Sequence, residues 1–423
     1  MAKPGTRQRG TSSSGAAAAA TPYRWEFRAR FRRHAFGWRS HPAVERVKQA
    51  VAEIKTVARH DRALAAEGAV LFLERVSPAL EQVDSSSGAI GTAVHNAICA
   101  VVPIIAEADV EAKTRAKWLE RLWDAHEADQ MPCIESLADF WGELCGSEEV
   151  ASEWADRLVA VTTKALSPDP SLHGYFHGTS ACLSALYRAG RYDEIVEILD
   201  VDTIWPYKAW AVRALAAMGK KAEALRYAEA CRSPWASDLQ IDAVCEEILL
   251  SSGMVEEAYR RYGLRATRAP TYLATFRAIS KKYPDVPAAR LLADLVATTP
   301  GQEAKWFAAA KDAGLYDEAL VLAGRGPCDP KTLTRAARDF ADKRPAFARD
   351  VGLLALRWLI EGYGYDVTST DVWAAYTATM TAAGASGGAK KTEQQVRELL
   401  AAERPPFFVT EVLRTEFGGR TEG

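Results

Sequence analysis

The chain has 423 residues, of which 48% are hydrophobic and 26% charged, a composition typical of folded proteins and unlike that of disordered ones. Its length allows two or three domains or one long array of repeats, and the formal net charge of −2 excludes a uniformly basic nucleic-acid binder. The charge is uneven, however. The stretch through Arg39 holds nine Lys or Arg and one acid, a net of +8, which leaves −10 for the remainder of the chain.

Seven cysteines are scattered along the chain without a C-x-x-C pair. Such a set is typical of small apolar residues in a reducing compartment rather than of a disulfide framework or a zinc site. The longest strongly apolar run, 97–106, is about half the length that spans a bilayer. We therefore expect a cytoplasmic protein with no membrane segment, metal or cofactor.

The N-terminal region has two parts. Residues 1–21 form a low-complexity tail that holds almost nothing to bury and is expected to be disordered. Residues 22–40 form a basic aromatic arm, in which aromatic and charged residues alternate as Y-R-W-E-F-R-A-R-F from Tyr23 to Phe31. A period of two is typical of a strand with one aromatic and one charged face, so the arm is predicted to be extended.

The arm has two possible roles. As a nucleic-acid site, its guanidinium groups would neutralise phosphates while its rings stack on bases. The residues concerned are Arg24, Trp25, Phe27, Arg28, Arg30, Phe31, Arg32 and Arg33. As a clamp on the chain itself, the arm would bury its rings in a groove and meet the acidic stretch 107–149, which has twelve acids and four bases. The clamp is favoured, because large aromatic residues rarely stay exposed together.

From 41 to 166 the apolar residues follow a helical period, which predicts an N-terminal helical domain. Within it, the segment 89–106 is apolar nearly all round and is expected to be a buried central helix. The sequence S-P-D-P at 167–170 stops a helix and marks the domain boundary.

A repeated corner organises the region 171–350. Four glycines are each followed four residues later by a glutamate: Gly190, Gly219, Gly253 and Gly314. Glycine fits the left-handed conformation that ends a helix, and the carboxylate then falls in the first turn of the next one. The glycines are 29, 34 and 61 residues apart, and Pro284 and Pro345 mark further corners at the same period. This spacing predicts stacked helical hairpins.

The corner G-x-x-x-E-A resembles the turn between the two helices of tetratricopeptide repeats. Glu223-Ala224, Glu257-Ala258 and Glu318-Ala319 stand where that family places its acid and small packing residue, whereas the first corner has Ile195 in the small position. The resemblance implies a right-handed superhelix that binds a protein or peptide. Large rings on the first helices of the units are candidate contacts: Tyr187, Trp210, Tyr272 and Trp306.

Two other stretches are similar to an uncharacterised family of bacterial helical-repeat proteins, one running from 35–40 through 77–88 and the other at 355–367. The second is also similar to a segment of some bacterial SWIM-type zinc-finger proteins, although the zinc ligands of that finger are absent. The resemblance implies a shape and a bacterial origin but no activity. Segment 351–423 is interpreted as a C-terminal helical cap.

No motif predicts nucleophilic, dinucleotide or metal chemistry, and no Cys–His arrangement stands out. His173 and His177 have the spacing of a helical metal pair, but flanking glycines and the lack of a third ligand favour a loop. The serine turn 85–88 is compatible with phosphate binding, although a helix cap explains it as well.

The sequence therefore predicts an all-α protein, a right-handed α-solenoid of tetratricopeptide-like hairpins with an N-terminal helical domain. The favoured function is a non-enzymatic scaffold that binds a protein or peptide partner on the solenoid surface. The alternative is nucleic-acid binding through the arm, helped by a basic ridge of Arg260, Arg261, Arg265 and Arg268.

Overall fold

The structure, a computed structural model, describes residues 23–201, 203–234, 236–402, 409 and 411–414. These residues are mostly α-helical and contain no β-strand, so the all-α class is confirmed. The predicted disordered tail 1–21 lies outside them. The chain divides into two compact units, unit 1 (Met1–Ala224) and unit 2 (Leu225–Gly423).

Unit 1 contains the first ten described helices, and α11 (Lys221–Ala230) crosses the division. Their bounds are α1 Glu26–Arg30, α2 Ser40–Ala58, α3 Arg62–Leu80, α4 Ala89–Ala106, α5 Ala112–Glu127, α6 Trp141–Cys145, α7 Glu148–Ala165, α8 Thr179–Arg188, α9 Tyr192–Ile198 and α10 Trp205–Ala217. A 3-10 segment, Glu135–Phe140, precedes α6.

Unit 2 continues with α12 Asp238–Leu250, α13 Val255–Ala258, α14 Tyr272–Lys282, α15 Ala288–Ala297, α16 Phe307–Asp312, α17 Tyr316–Arg325, α18 Pro330–Phe340, α19 Pro345–Ile360, α20 Ser369–Ala385 and α21 Ala389–Ala402. A π-helical turn, Tyr259–Gly263, follows α13, and a 3-10 segment, Glu303–Trp306, precedes α16.

Part of the arm, Glu26–Arg30, forms the short helix α1 where an extended strand was predicted. The N–H groups of Glu26 and Phe27, at the start of α1, both donate to the carboxylate of Glu53 on α2, at 2.8 and 3.1 Å. Because these two donors have no partner within α1, a carboxylate from another helix stabilises its first turn. The strand prediction is therefore wrong, and its physical reason is this cap together with the absence of a partner strand among the described residues.

The arm packs on unit 1 itself, as the clamp interpretation expected. Trp25, Phe27 and Phe31 are 6%, 2% and 1% exposed, and Phe27 and Phe31 meet Phe72 of α3 edge-on at 5.9 and 5.4 Å. The ring of Trp25 lies so close to Gly68 that an added Cβ would be 2.1 Å from it.

The surface that receives the arm differs from the predicted one. Its contacts are with α2 and α3, through Glu53, Phe72 and Glu81, and the acidic stretch 107–149 supplies none of them. Arg33 pairs with Glu81 at 3.4 Å. Apolar packing therefore positions the arm more than net charge does.

Helix α4 is half-buried rather than central. Its inner face packs on α2 and α3, whereas Thr92, His95, Asn96 and Cys99 on the opposite face are exposed. The polar residues His95 and Asn96 mark this outer face in the sequence, and the prediction of burial all round overlooked them because the rest of the segment is apolar or small. By length and composition α4 is the one helix among the described residues that could cross a membrane, and such a single helix is weak evidence because core helices meet the same criterion.

The predicted glycine corners are present. All four glycines have a left-handed backbone, with φ between 72° and 79°. At each one, the next residue's N–H bonds back to the carbonyl five positions earlier, as from Leu315 to Ala310 at 3.0 Å. This is the bond of a Schellman motif, and the predicted glutamate follows in the first turn of the next helix. The same corner recurs at Gly362 and Gly387, which the sequence analysis did not single out.

Unit 2 buries two carboxylates one turn apart on α12. Glu246 accepts from Lys282 Nζ at 2.7 Å and from the hydroxyl of Tyr283 at 2.6 Å, and Asp242 pairs with Arg232 at 2.5 Å. Burial, reinforced by the bond to Glu246, raises the pKa of Tyr283. Each carboxylate is thus matched by a cation or a hydroxyl, the condition under which a buried charge is tolerated.

Candidate peptide-binding groove

Helices α15 and α17 are the second helices of two successive hairpins in unit 2. They border an open groove of about 650 Å³. This volume lies within the range of sites that hold small ligands or short peptide segments. The lining residues are Ala289, Leu292, Ala293, Val296, Ala297, Pro300, Glu303, Asp317, Glu318, Val321, Leu322 and Arg325.

The α15 wall combines a row of alanines with two larger apolar side chains, Leu292 and Val296. Leu291 and Leu295 point into the hairpin core and are almost fully buried. Ala289, Ala293 and Ala297 recur every four residues on the neighbouring face, which places them in one row along the helix. A row of alanines leaves room for a side chain or a helix to approach closely.

The α17 wall also supplies a valine and a leucine, Val321 and Leu322. Ala319 and Ala323 are fully buried, whereas Val321 remains 52% exposed and Leu322 closes the groove floor. A β-branched side chain half in water on a helix gains little there for stability. Val321 therefore offers an exposed apolar side chain within the groove.

The two ends of the groove differ in charge. Asp317 and Glu318, in the first turn of α17, are exposed and make no ion pair with any described residue. At the other end Arg325 is close enough to Glu303 to attract it. The Glu303 carboxylate also accepts the N–H of Gly301 at 3.0 Å, and this bond is the main cause of its lowered pKa. Eight residues of α-helix, about 12 Å, separate the acidic end from the mixed end.

The rings predicted as contacts lie mostly in the cores. Trp210 is 6% exposed in unit 1 and Trp306 is 2% exposed in unit 2, where its indole N–H donates to Thr299 at 2.8 Å. Tyr187 and Tyr272 are half-buried, the first against Trp210 and the second edge-on to Trp306. Helical spacing alone does not distinguish a core ring from a ligand platform, and none of these four lines the groove.

The arginines of the arm form a different kind of surface. Arg24, Arg28 and Arg32 are exposed and have no ion pair among the described residues, whereas Arg30 pairs with Glu26 and Arg33 with Glu81. The rings that were to stack on bases are buried under the arm. The arm therefore presents positive charge to a ligand, but the rings of Trp25, Phe27 and Phe31 are not accessible for stacking.

Two of the four arginines of the predicted basic ridge in unit 2 are paired, whereas Arg260 and Arg268 are exposed and have no ion pair among the described residues. Arg261 pairs with Glu257 at 3.1 Å, and Arg265 pairs with Asp242 at 3.3 Å. Both guanidinium groups thus lie against carboxylates of their own unit, which weakens their attraction for a phosphate.

The two histidines considered for metal binding lie in a loop before α8, where no helix aligns them. Nδ1 of His173 is 3.1 Å from the carbonyl of Ser167, and the ring of His177 stacks on Trp123. The described residues contain no group of three His, Cys, Asp or Glu that could hold a metal.

In the serine turn, Asp84 accepts the N–H of Ser86 at 2.9 Å, and Gly88 precedes α4 with φ of 70°. A local turn therefore accounts for this sequence without a phosphate.

Sequence reasoning missed the groove. The helical period of α17 gave no signal for it, because the period does not show whether Val321 is covered by a neighbouring helix. Comparisons with known proteins add no name to the site: no family model, no curated protein and no solved structure matches the chain.

Proposed function

We propose that this chain is a non-enzymatic, cytoplasmic binding protein whose groove between α15 and α17 holds an apolar segment of a partner protein. The observation that carries the proposal is an open groove of about 650 Å³ lined by alanine, valine and leucine, with charged residues at its two ends. The Schellman corners at Gly253 and Gly314 support a further proposal, that the part of region 171–350 that lies in unit 2 belongs to a right-handed array of tetratricopeptide-like repeats.

The groove favours an amphipathic helix as its occupant. Two parallel rows of small and apolar side chains fit the apolar face of a third helix, with anchors three and four residues apart. The free carboxylates of Asp317 and Glu318 favour a Lys or Arg at one end of that helix. A partner segment of about three turns would fill the length of α15.

The test uses peptides selected from a random library of about 12 residues, long enough for three helical turns. Selected peptides are then titrated by fluorescence anisotropy against wild type, Val321→Lys and Val161→Lys. Val161 is the matched control, because it is a 48% exposed helical valine of unit 1 outside the groove.

We expect Val321→Lys to weaken binding by about tenfold or more, because a charge enters an apolar contact, and Val161→Lys to leave it unchanged. The proposal fails if no peptide is enriched, or if the enriched peptides bind all three proteins equally.

A second candidate function is sequence-independent nucleic-acid binding through the arm, favoured by the exposed arginines that its buried rings hold outward. Its test is titration of a labelled single-stranded oligonucleotide with wild type and with Arg24→Glu/Arg28→Glu/Arg32→Glu. Binding that falls steeply with salt and disappears in the variant would support it. Equal binding by the two proteins, or none at low salt, would exclude this function.

A further inference from the structure

The exposed face of α4 carries a cysteine beside a histidine. Cys99 follows His95 by four residues, which places both side chains on one side of the helix. The thiol sulfur is 3.6 Å from Nε2 of His95, a distance within the longer range of sulfur hydrogen bonds. Both residues are exposed, so a reagent in solution can reach them.

A third residue orients the imidazole. Nδ1 of His95 is 3.2 Å from Oγ of Ser136, which lies on the 3-10 segment before α6. If Nδ1 carries the proton and donates it to Ser136, the lone pair of Nε2 points at the thiol. A nucleophile, a base and a residue that orients the base therefore stand in sequence.

Five of the other six cysteines are set apart from Cys99 by burial. Burial raises the pKa of Cys133, Cys182 and Cys245 to about 11 and that of Cys145 and Cys328 to about 12. Cys231 is half-buried. Since the thiolate is the reactive form, the exposed thiol with a base at hand is set apart from the five buried ones.

We propose that Cys99 is a modification site that reacts with low-molecular-weight disulfides, with His95 as its general base and Ser136 as a positioning residue. Nε2 of His95 takes the thiol proton, and the Cys99 thiolate attacks one sulfur of the disulfide. A new S–S bond forms on Cys99 as the old one breaks. The departing thiolate takes the proton from His95, so that Cys99 is oxidised and half of the disulfide is reduced.

The charged groups around the pair are carboxylates of the 3-10 segment. Asp139 is close enough to His95 for mutual attraction, and Glu135 lies on the same segment. Their negative charge lies beside the exposed thiol of Cys99. It repels an anionic disulfide, so a neutral reagent is expected to react faster than an anionic one of equal leaving group.

The experiment measures the rate at which the folded, full-length protein reacts with a neutral aromatic disulfide that releases a coloured thiol. We expect one fast thiol per chain in wild type and in Cys231→Ser, and none in Cys99→Ser. At about pH 6.5, where a free thiol is mostly protonated, His95→Gln should slow that thiol by about tenfold, with a smaller effect near pH 9. Ser136→Ala should slow it less, with the same pH trend.

Two outcomes would overturn the proposal. One is a fast thiol that persists in Cys99→Ser, which places the reactivity elsewhere. The other is a rate at Cys99 that His95→Gln changes equally at all pH values or not at all, because base catalysis requires the difference to grow as the pH falls. All four substituted side chains are partly or fully exposed, and circular dichroism of each variant checks that folding is intact.

Discussion

In unit 1, three rings of the arm, Trp25, Phe27 and Phe31, lie buried on α2 and α3, whereas in unit 2 the groove between α15 and α17 keeps Val321 half in water. Both surfaces are apolar faces of helices. One is covered by the chain's own aromatic residues, and the other is open within the described part of unit 2. An arm that packs in cis shows what an occupant of the groove would supply, namely apolar side chains held against a helix pair.

The units also differ in what they bury. Unit 1 encloses a cluster of tryptophans, in which Trp123, Trp141 and Trp154 meet at centroid distances of 4.9 to 5.6 Å. Unit 2 instead buries Asp242 and Glu246 with their cationic and hydroxyl partners. Ring packing tolerates the loss of one contact gradually, whereas a buried ion network depends on each partner.

The largest loss of stability is expected from a substitution in the arm where it packs on α2 and α3 of unit 1. Trp25→Ala removes a buried ring that rests on Gly68 and leaves a cavity beneath the arm, so we expect unit 1 to lose about 3–5 kcal/mol of unfolding free energy. Urea denaturation measures the loss. The matched control is Trp38→Ala, because Trp38 is 72% exposed and its loss should change stability by no more than about 0.5 kcal/mol. Equal losses of stability for the two substitutions would mean that packing of the arm does not stabilise unit 1.

The second largest loss of stability is expected from removing a buried carboxylate of unit 2. Glu246→Ala leaves the hydroxyl of Tyr283 buried without its acceptor and Lys282 without its partner, at an expected cost of about 2–3 kcal/mol. This figure is below that of a fully enclosed pair because Lys282 is partly exposed and can turn to water. Glu247→Ala, one residue along on the exposed side of α12, is the control and should be nearly neutral. A cost below that of the control would show that the network contributes nothing.

The helical class and the corners could be read from the sequence because both depend on local rules. A corner glycine needs only its own left-handed backbone, and a glutamate four residues later needs only the first turn of the next helix. The groove could not be read in this way. Whether Trp306 or Val321 faces water depends on which neighbouring helix covers it, and the helical period is the same in either case.

The arm is a second case in which a local sequence pattern did not predict the structure. Its alternating rings predicted a strand, but the cap that makes α1 helical comes from Glu53, 27 residues away from Glu26. The pair of His95 and Cys99 was visible as four-residue spacing, yet only the position of Ser136, 41 residues from His95, shows that the imidazole is oriented. Contacts between residues this far apart in the sequence leave no local sequence pattern.

Acidic pH should lower the stability of unit 1, and this loss would distinguish unit 1 from unit 2. His126 is 4% exposed in unit 1, and burial lowers its pKa from 6.5. Its Nε2 lies 3.3 Å from the carbonyl of His177, and Nδ1 has no partner among the described residues. The other titratable groups that act on it are the His177 ring, Asp129 and Glu135.

Because the unfolded chain binds the proton more tightly than the folded chain, stability falls as the pH drops from 6.5 towards the lower folded pKa and levels off below it. We expect urea denaturation to show this loss in unit 1, and His126→Gln to reduce it while keeping a donor for the carbonyl of His177. An identical pH dependence in the variant would assign the loss to other groups.

The smallest effect tests the corner that bounds the α17 side of the groove. Gly314 has φ of 76°, and a Cβ added there would have no atom within 4 Å, so Gly314→Ala changes backbone strain alone. We expect a loss of about 1 kcal/mol, because the left-handed conformation disfavours a side chain. Gly324 is the control within the same hairpin, since it lies inside α17 and an added Cβ would meet only Leu354 at an ordinary 3.8 Å. Gly324→Ala should therefore stabilise unit 2 by up to about 1 kcal/mol. Opposite signs for the two alanines would show that the corner requires glycine for its backbone, whereas a loss at both positions would point to packing against the groove helix.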